Sequence, residues 1–218
     1  MKQIKGTIFQ AVSVTLVLLL ICGLAFPLAL SGLSALIFPS QAEGSLVYAD
    51  GQPVGTAHVG QQFTEDYFMK GRPSAYNYNT YMVDEEGNEL YLDGSEYAGL
   101  SSGSNNYGAS NPALAERVQA DIDAFLESHP DVTVDQIPTD LMTASGSGLD
   151  PHISVASAQL QVPVIAEASG LSEEKLNEII ENNTTDKMLG VFGEQTVNVL
   201  GVNMEIALEM GLVQEISK

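Results

Sequence analysis

Residues 8–30 read IFQAVSVTLVLLLICGLAFPLAL, 23 positions without a charge. As an α-helix rising about 1.5 Å per residue they extend roughly 35 Å, enough to cross a hydrocarbon layer of ~30 Å with some tilt. The uncharged window is wider still, from Gly6 through Ala42. Lys2 and Lys5 precede it, and no Lys or Arg follows until Lys70. Cationic flanks stay in the cytoplasm. Residues 1–7 are therefore expected inside, 8–30 across the cell membrane, 31–45 as a juxtamembrane linker, and 46–218 as an extracytoplasmic domain. Pro27 is expected to kink the helix near its outer end. Gln10, Ser13, Thr15, Gly23 and Ala25 interrupt the aliphatic run, as on helices that pack closely against another helix in lipid. Two rival readings fit less well. A cleaved signal peptide has an apolar core of only about 7–15 residues, although Ser40-Gln41-Ala42 loosely resembles a cleavage site. A lipoprotein would use Cys22, but bulky Ile21 precedes it where a small residue is expected.

Every one of the 28 acidic residues lies at or after Glu43, while two of the eight basic residues are Lys2 and Lys5. The part that faces water thus carries 28 acids against six bases, a net charge of −22. Such a surface repels phosphate backbones and argues against nucleic acid as a partner. Its simplest role is solvation and self-repulsion. The lone cysteine, Cys22, leaves no internal disulfide and no cysteine zinc site. Trp is absent, so Leu, Ile, Val, Phe and Tyr must supply the core.

Beyond the linker, Leu46-Val47-Tyr48 and Val54 to Val59 read as short strands around an Asp50-Gly51 turn. Tyr76 to Ser110 is rich in Asn, Gly, Ser and Tyr, and its centre, Asp84 to Glu96, holds six acids and no base. An acidic insert near 83–100 is therefore expected to be a long loop or mobile segment outside the core. Asn111 before Pro112 marks a helix start, and Leu114, Val118, Ile122 and Phe125 recur on one face. Ser154 to Ala168 predicts a second helix, interrupted by Pro163. Ser172 caps a third, with Glu173 and Glu174 in its first turn. Thr196 to Leu200 reads as a buried strand, and Asn203 to Met210 as a last short helix. Early and late strands with helices between them make an α+β domain.

Catalytic signatures are missing. There is no G-x-x-x-x-G-K-[ST] phosphate loop and no H-E-x-x-H zinc pair. Asp186-Lys187 is followed by Met188, which breaks the phosphorylated-aspartate signature of P-type pumps, and no T-V-G-Y-G potassium filter occurs. The stretch Thr143 to Ser154 holds Ser145, Ser147, Asp150, His152 and Ser154, but it lacks the first Gly of a nucleophile elbow. A turn is the economical reading: glycines for positive φ, Asp150 as a cap, Pro151 opening the turn and Ser154 capping the next helix. Ser145-Gly146-Ser147-Gly148 is the one weak candidate for an anion-binding nest. His58 and His129 stand alone, and no metal set is evident.

The ordered motifs are nevertheless distinctive. Phe38-Pro39 precedes Gln41 to Leu46, and Phe68-x-x-Gly71-Arg72-Pro73-Ser74-Ala75 follows. Ser102-Gly103-Ser104-Asn105 comes next, then Ser110-Asn111-Pro112. After Thr143 to Ser154 stand Gln161-Val162-Pro163 and Val197-Asn198-Val199-Leu200 with Asn203. In this set the chain resembles the KdpC family, accessory subunits of the bacterial KdpFABC potassium-transporting P-type ATPase. The resemblance implies a nonenzymatic subunit in a complex with a KdpB-like ATPase, a KdpA-like channel and a KdpF-like small subunit. ATP and potassium would be used by the assembly, with no cofactor held by this chain. Two family roles come with it: a catalytic chaperone that raises ATP affinity, and a cover or gate at the outer ion entrance. It offers Gln161 beside Ser145–Gly148 as nucleotide-contact candidates. The structural or partner-contact candidates are Gly71, Arg72, Pro73, Ser74, Ser104, Asn105, Asn111, Asp150, Pro151, His152, Asn198 and Asn203. Two departures stand out: the acidic insert, and Val164 where the family commonly has Arg after Pro163. A stand-alone, membrane-anchored enzyme or binding protein is the alternative.

Overall fold

The computed structural model describes residues 2–84, 86–91, 94–97 and 99–217, so Glu85, Leu92, Asp93 and Ala98 of the acidic insert lie outside the described residues. The chain divides into two compact units, Met1–Leu46 and Val47–Lys218.

The first unit is helical: α1 (Lys2–Leu20), a π-helical turn at Ile21–Ala25, α2 (Phe26–Ile37) and the short α3 (Pro39–Ala42). Pro27 has no N–H to offer the Gly23 carbonyl, and its ring presses on that carbonyl. The helix answers by widening, with the Phe26 N–H donating to the Ile21 carbonyl five residues back. Helix continues past Leu30 because nothing breaks it before Phe38, whose φ of −133° ends it. Phe38 precedes Pro39, and a residue before proline is driven out of the helical region. Ile4–Ile37 forms one apolar span of 34 residues. At ~1.5 Å per residue it is about 51 Å long, some 20 Å more than a hydrocarbon layer.

The second unit is α+β. From the boundary onward the chain order is β1 (Leu46–Ala49, its first residue closing the first unit), β2 (Gln52–Thr56), β3 (Tyr81–Val83), β4 (Glu89–Tyr91), α4 (Pro112–Ser128), α5 (Thr139–Met142), β5 (His152–Ile153), α6 (Val155–Ser169), α7 (Glu173–Asn182), β6 (Thr184–Thr185), β7 (Thr196–Asn198), α8 (Val199–Glu209) and β8 (Ile216–Ser217). Three small sheets result, in the orders β2-β1-β8, β3-β4 and β5-β7-β6. The β1–β2 connection places Asp50 and Gly51 at φ of 50° and 76°, the two positive angles of a type I′ hairpin. Asp50 then accepts from the N–H groups of Gln214 and Glu215 at 2.8 and 2.9 Å, which fastens the hairpin to the C-terminal strand.

The main core gathers Ile153, Val162, Ile165, Leu176, Ile179, Val197, Val202 and Ile206 around Met69. A smaller one joins Ile122, Ile137 and Leu141 to Val118 and Phe125 of α4. Caps fall where the sequence places them: Asn111 accepts from Ala113 N–H, Ser154 from Ser157 and Ser172 from Lys175.

Three expectations are corrected. Pro163 does not interrupt α6; it lies on the exposed face, where water can satisfy the Gln159 carbonyl left without a donor. The strand expected over Thr196–Leu200 ends at Asn198, because the Asn198 side chain accepts from the Gly201 N–H at 2.9 Å and starts α8 there. The acidic insert is not all loop: β3 and β4 pair antiparallel, and Tyr97 stacks on Tyr81 and meets Tyr91 edge-on.

Candidate functional site

The strap from Met69 to Asn79 has no ladder to satisfy its first peptide groups, and side-chain amides do the work of a strand. The Met69 N–H donates to Asn203 Oδ1 at 2.7 Å, and Asn203 Nδ2 donates to the Met69 carbonyl at 2.9 Å. Next along, the Lys70 N–H donates to Gln161 Oε1 at 2.8 Å, and Gln161 Nε2 returns a bond to the Lys70 carbonyl at 3.2 Å. Asn203 and Gln161 are 0% and 1% exposed, so neither amide is open to a ligand in this conformation. Both come from helices, α8 and α6, whose apolar faces are already fixed in the core. Their reach is therefore fixed too.

Further along, the strap meets the turn before β5. Arg72 Nη1 lies 3.4 Å from Asp150 Oδ2, and Nη2 donates to the Thr143 carbonyl at 3.2 Å. Asp150 Oδ1 accepts from the His152 N–H at 3.1 Å, which closes the turn around Pro151. Ser74 Oγ donates to the Gly148 carbonyl at 2.7 Å and accepts from the N–H groups of Tyr76 and Tyr78. A side chain at Gly148 would press on Tyr76 and the Gly103 carbonyl, at 3.0 and 3.1 Å. Gly71 is similarly required, since a Cβ there would meet the Tyr78 hydroxyl at 2.6 Å. The Thr143–Ser154 turn thus keys into the Gly71-Arg72-Pro73-Ser74 segment.

Three residues the sequence did not single out complete this seam. Tyr78 donates to the Arg72 carbonyl at 2.7 Å, and burial, then the Asp150 charge, push its phenol far above the usual range. It lies between Asn77 and Asn79 in a left-handed turn, all three with φ near 50°; Asn tolerates that region, which is the only sign the sequence carries. Gly60 packs so closely on the Asp150 carbonyl and the Tyr78 ring that no side chain fits. Asp140 accepts from Ser154 N–H at 2.7 Å and from the hydroxyls of Ser154 and Ser157 at 3.1 and 2.7 Å. Burial opposes its ionisation, but these bonds prevail and hold its carboxyl below the usual range.

The remaining candidates are placed individually. Asn111 caps α4, and the Pro151 carbonyl accepts from Val199 N–H at 3.0 Å. Asn198 Nδ2 donates to the Ala57 carbonyl at 2.8 Å, while His152 pairs with Asn198 across β5–β7. Burial lowers the His152 pKa. Among the described residues Ser104 bonds to nearby Asn106, and Asn105 is exposed. In the Ser145–Gly148 turn two backbone donors are taken, Ser147 N–H by Ser145 Oγ and Gly148 N–H by the Ser102 carbonyl, and Ser147 Oγ accepts from the Leu149 N–H just beyond.

A cleft of about 530 Å³ opens beside the strap, lined by Lys70, Arg72, Arg117 and His129 among others. Each cation there has an internal partner: Lys70 Nζ the Glu65 carbonyl at 2.6 Å, Arg72 Asp150, and Arg117 Asp121 at 3.0 Å. His129 stacks on Phe125 with ring centres 3.9 Å apart, and burial lowers its pKa. Among the described residues no hydrogen bond joins His152 to a serine, and no group of three His, Cys, Asp or Glu is placed to hold a metal. What the arrangement does chemically is hold four stretches of chain in register.

Comparison with known proteins adds a lineage to this geometry. A family model described as "KdpC: K+-transporting ATPase, c chain" matches residues 8–208. The potassium-transporting ATPase KdpC subunit of Clostridium kluyveri is 57% identical over 199 residues, covering 91% of this chain and 92% of that protein. The corresponding subunit of Clostridioides difficile is 51% identical over 212 residues, 95% and 99% of the two chains. The one from Bacillus cereus is 37% identical over 207 residues, 94% and 97% of the two.

Proposed function

The chain belongs to the KdpC family, the c chains of K+-transporting ATPases, and from that membership we propose a nonenzymatic accessory subunit of an ATP-driven potassium pump, anchored by one helix with its acidic domain on the outer face of the membrane. The observation that carries the reading is identity of 57% and 51% to KdpC subunits over nearly the whole chain. The site agrees with it. Most polar groups along the seam are spent on one another, Arg72 Nε excepted, which suits a rigid adaptor, and among the described residues no hydrogen bond joins His152 to a serine.

Its partners are the other Kdp subunits: a KdpB-like ATPase, a KdpA-like channel and a KdpF-like small subunit. The apolar span of about 51 Å supports contact with them, because lipid alone would need a tilt beyond the usual ~40° to cover it. If the subunit raises the pump's affinity for ATP, the coupling runs through the helix or the shared conformational cycle. Direct contact through Gln161 is disfavoured by its engagement with Lys70, and contact through Ser145–Gly148 by the internal bonds that occupy the Ser147 and Gly148 N–H groups.

Reconstitution with and without this chain tests the proposal. The complete pump should take up potassium, the pump lacking the chain should lose most uptake, and the purified chain should hydrolyse no ATP. Full uptake without the chain sinks the subunit role, and ATP hydrolysis by the pure chain sinks the nonenzymatic one.

A further inference from the structure

Between β6 and β7 the chain makes a tight hairpin whose tip is Met188-Leu189-Gly190-Val191-Phe192. Met188 and Phe192 exchange both backbone bonds, at 2.8 and 3.0 Å, and Gly190 N–H donates to the Lys187 carbonyl at 2.9 Å. Leu189 and Gly190 have φ of 54° and 74°. A leucine in the left-handed region costs free energy that asparagine or glycine would largely avoid. Despite this defined geometry the apolar side chains are buried in nothing: Met188, Leu189, Val191 and Phe192 are 69%, 84%, 75% and 62% exposed. Leu100, Val134 and Leu212 are also exposed, but singly. The apolar face of β3 lies beside Asp84, Glu86 and Glu89, whereas Lys187–Gly193 contains no acid.

We propose that this hairpin tip is a docking plug that seats in an apolar pocket on the outer surface of another subunit of the pump. The inference rests on the subunit reading above and adds the element that makes the contact. Two observations favour a protein pocket over the bilayer surface. First, the tip emerges from a domain of net charge −22, with Asp186 and Glu194 immediately at its neck; an anionic lipid surface repels that combination. Second, a fluid acyl layer asks for no particular backbone shape, while a pocket rewards the pre-formed turn by removing the ordering cost of binding. Clustered exposed apolar side chains on a soluble domain mark interaction sites, and a central large apolar anchor dominates such contacts. Phe192 is that anchor.

The test uses the full-length chain co-expressed with the remaining pump subunits. Leu189→Asp and Phe192→Asp should each cut the amount of chain recovered with the pump in mild detergent at least tenfold, while Phe192→Leu retains most of it. The melting temperature of the purified variants should match the unaltered chain, because the tip packs against no core. Recovery of both Asp variants at the unaltered level overturns the plug, whereas failure of the unaltered chain to co-purify overturns the subunit reading itself. A second measurement separates lipid from protein. The chain has no Trp, so Phe192→Trp places a single reporter at the tip. In nanodiscs containing the chain alone, brominated acyl chains should leave its emission unquenched; strong quenching assigns the tip to the bilayer and overturns the pocket.

Discussion

The carboxamide of Asn203 closes on both backbone groups of Met69, accepting from its N–H at 2.7 Å and donating to its carbonyl at 2.9 Å across 134 residues of sequence. Asn203 and Met69 are both essentially without solvent contact. A residue that replaces the amide by hydrocarbon therefore leaves a buried donor and a buried acceptor unpaired. Each such loss costs about 1–3 kcal/mol. Asn203→Leu should destabilise the domain by about 3 kcal/mol, a fall of roughly 6–12 °C in melting temperature for a unit of this size. Thermal unfolding of the purified chain reads this directly. A change under about 2 °C would mean that the strap finds other partners.

Asp150 and His152 share a turn but not a role. The Asp150 carboxylate serves Arg72 on one oxygen and the His152 N–H on the other, while the described hydrogen bonds of His152 are made by its backbone. Asp150→Ala should lower stability by about 0.5–2 kcal/mol, the usual effect of losing a cap, and weaken assembly with the pump. His152→Ala should do less of both. A variant that melts normally and assembles normally, yet abolishes ATP-driven uptake, would give this turn a direct mechanistic part.

Acid should weaken the domain through Asp140. Its folded-state pKa is lowered, by bonds from Ser154 and Ser157 that outweigh burial. The carboxylate therefore contributes stability that is fully present above the unfolded value of ~3.9 and is lost as pH falls through the folded one. His129, whose pKa burial depresses, adds an earlier loss beginning near pH ~6.5. Melting temperature should decline from neutral pH downward and steepen below about pH 4. Asp140→Asn should melt lower at pH 7 and show a shallower acid limb. Parallel curves for the two proteins would remove Asp140 from the account.

Orientation is tested by labelling. With Lys2 and Lys5 inside, residues 43–218 should lie outside. Ser128 is exposed at the end of α4, so a Ser128→Cys, Cys22→Ser chain should react with a membrane-impermeant thiol reagent on intact cells. Reaction only after lysis would reverse the topology.

Local physics made part of this protein readable without coordinates. An uncharged apolar run specifies a long helix wherever it sits, because its backbone must bond within itself. Asp50-Gly51, Asn111-Pro112 and Ser172 announce a turn and two helix starts because each acts on backbone groups a few residues away. The apolar pattern from Thr196 runs two residues past the end of the strand for the opposite reason. Whether Val199 extends a strand or opens a helix depends on the Asn198 side chain choosing the Gly201 N–H, and the apolar pattern is blind to that choice. The seam was hidden more deeply. Gln161, Asn203 and Gly148 could be suspected from their motifs, but not that two amides would stand in for a missing strand along Met69 and Lys70. Gly60 and Asp140 carry no sign in the sequence and Tyr78 only its flanking asparagines, since what each touches is set by how irregular segments pack on one another. Hydrogen bonds and close approaches of that kind exist only after the helices have packed, so tertiary structure alone decides them.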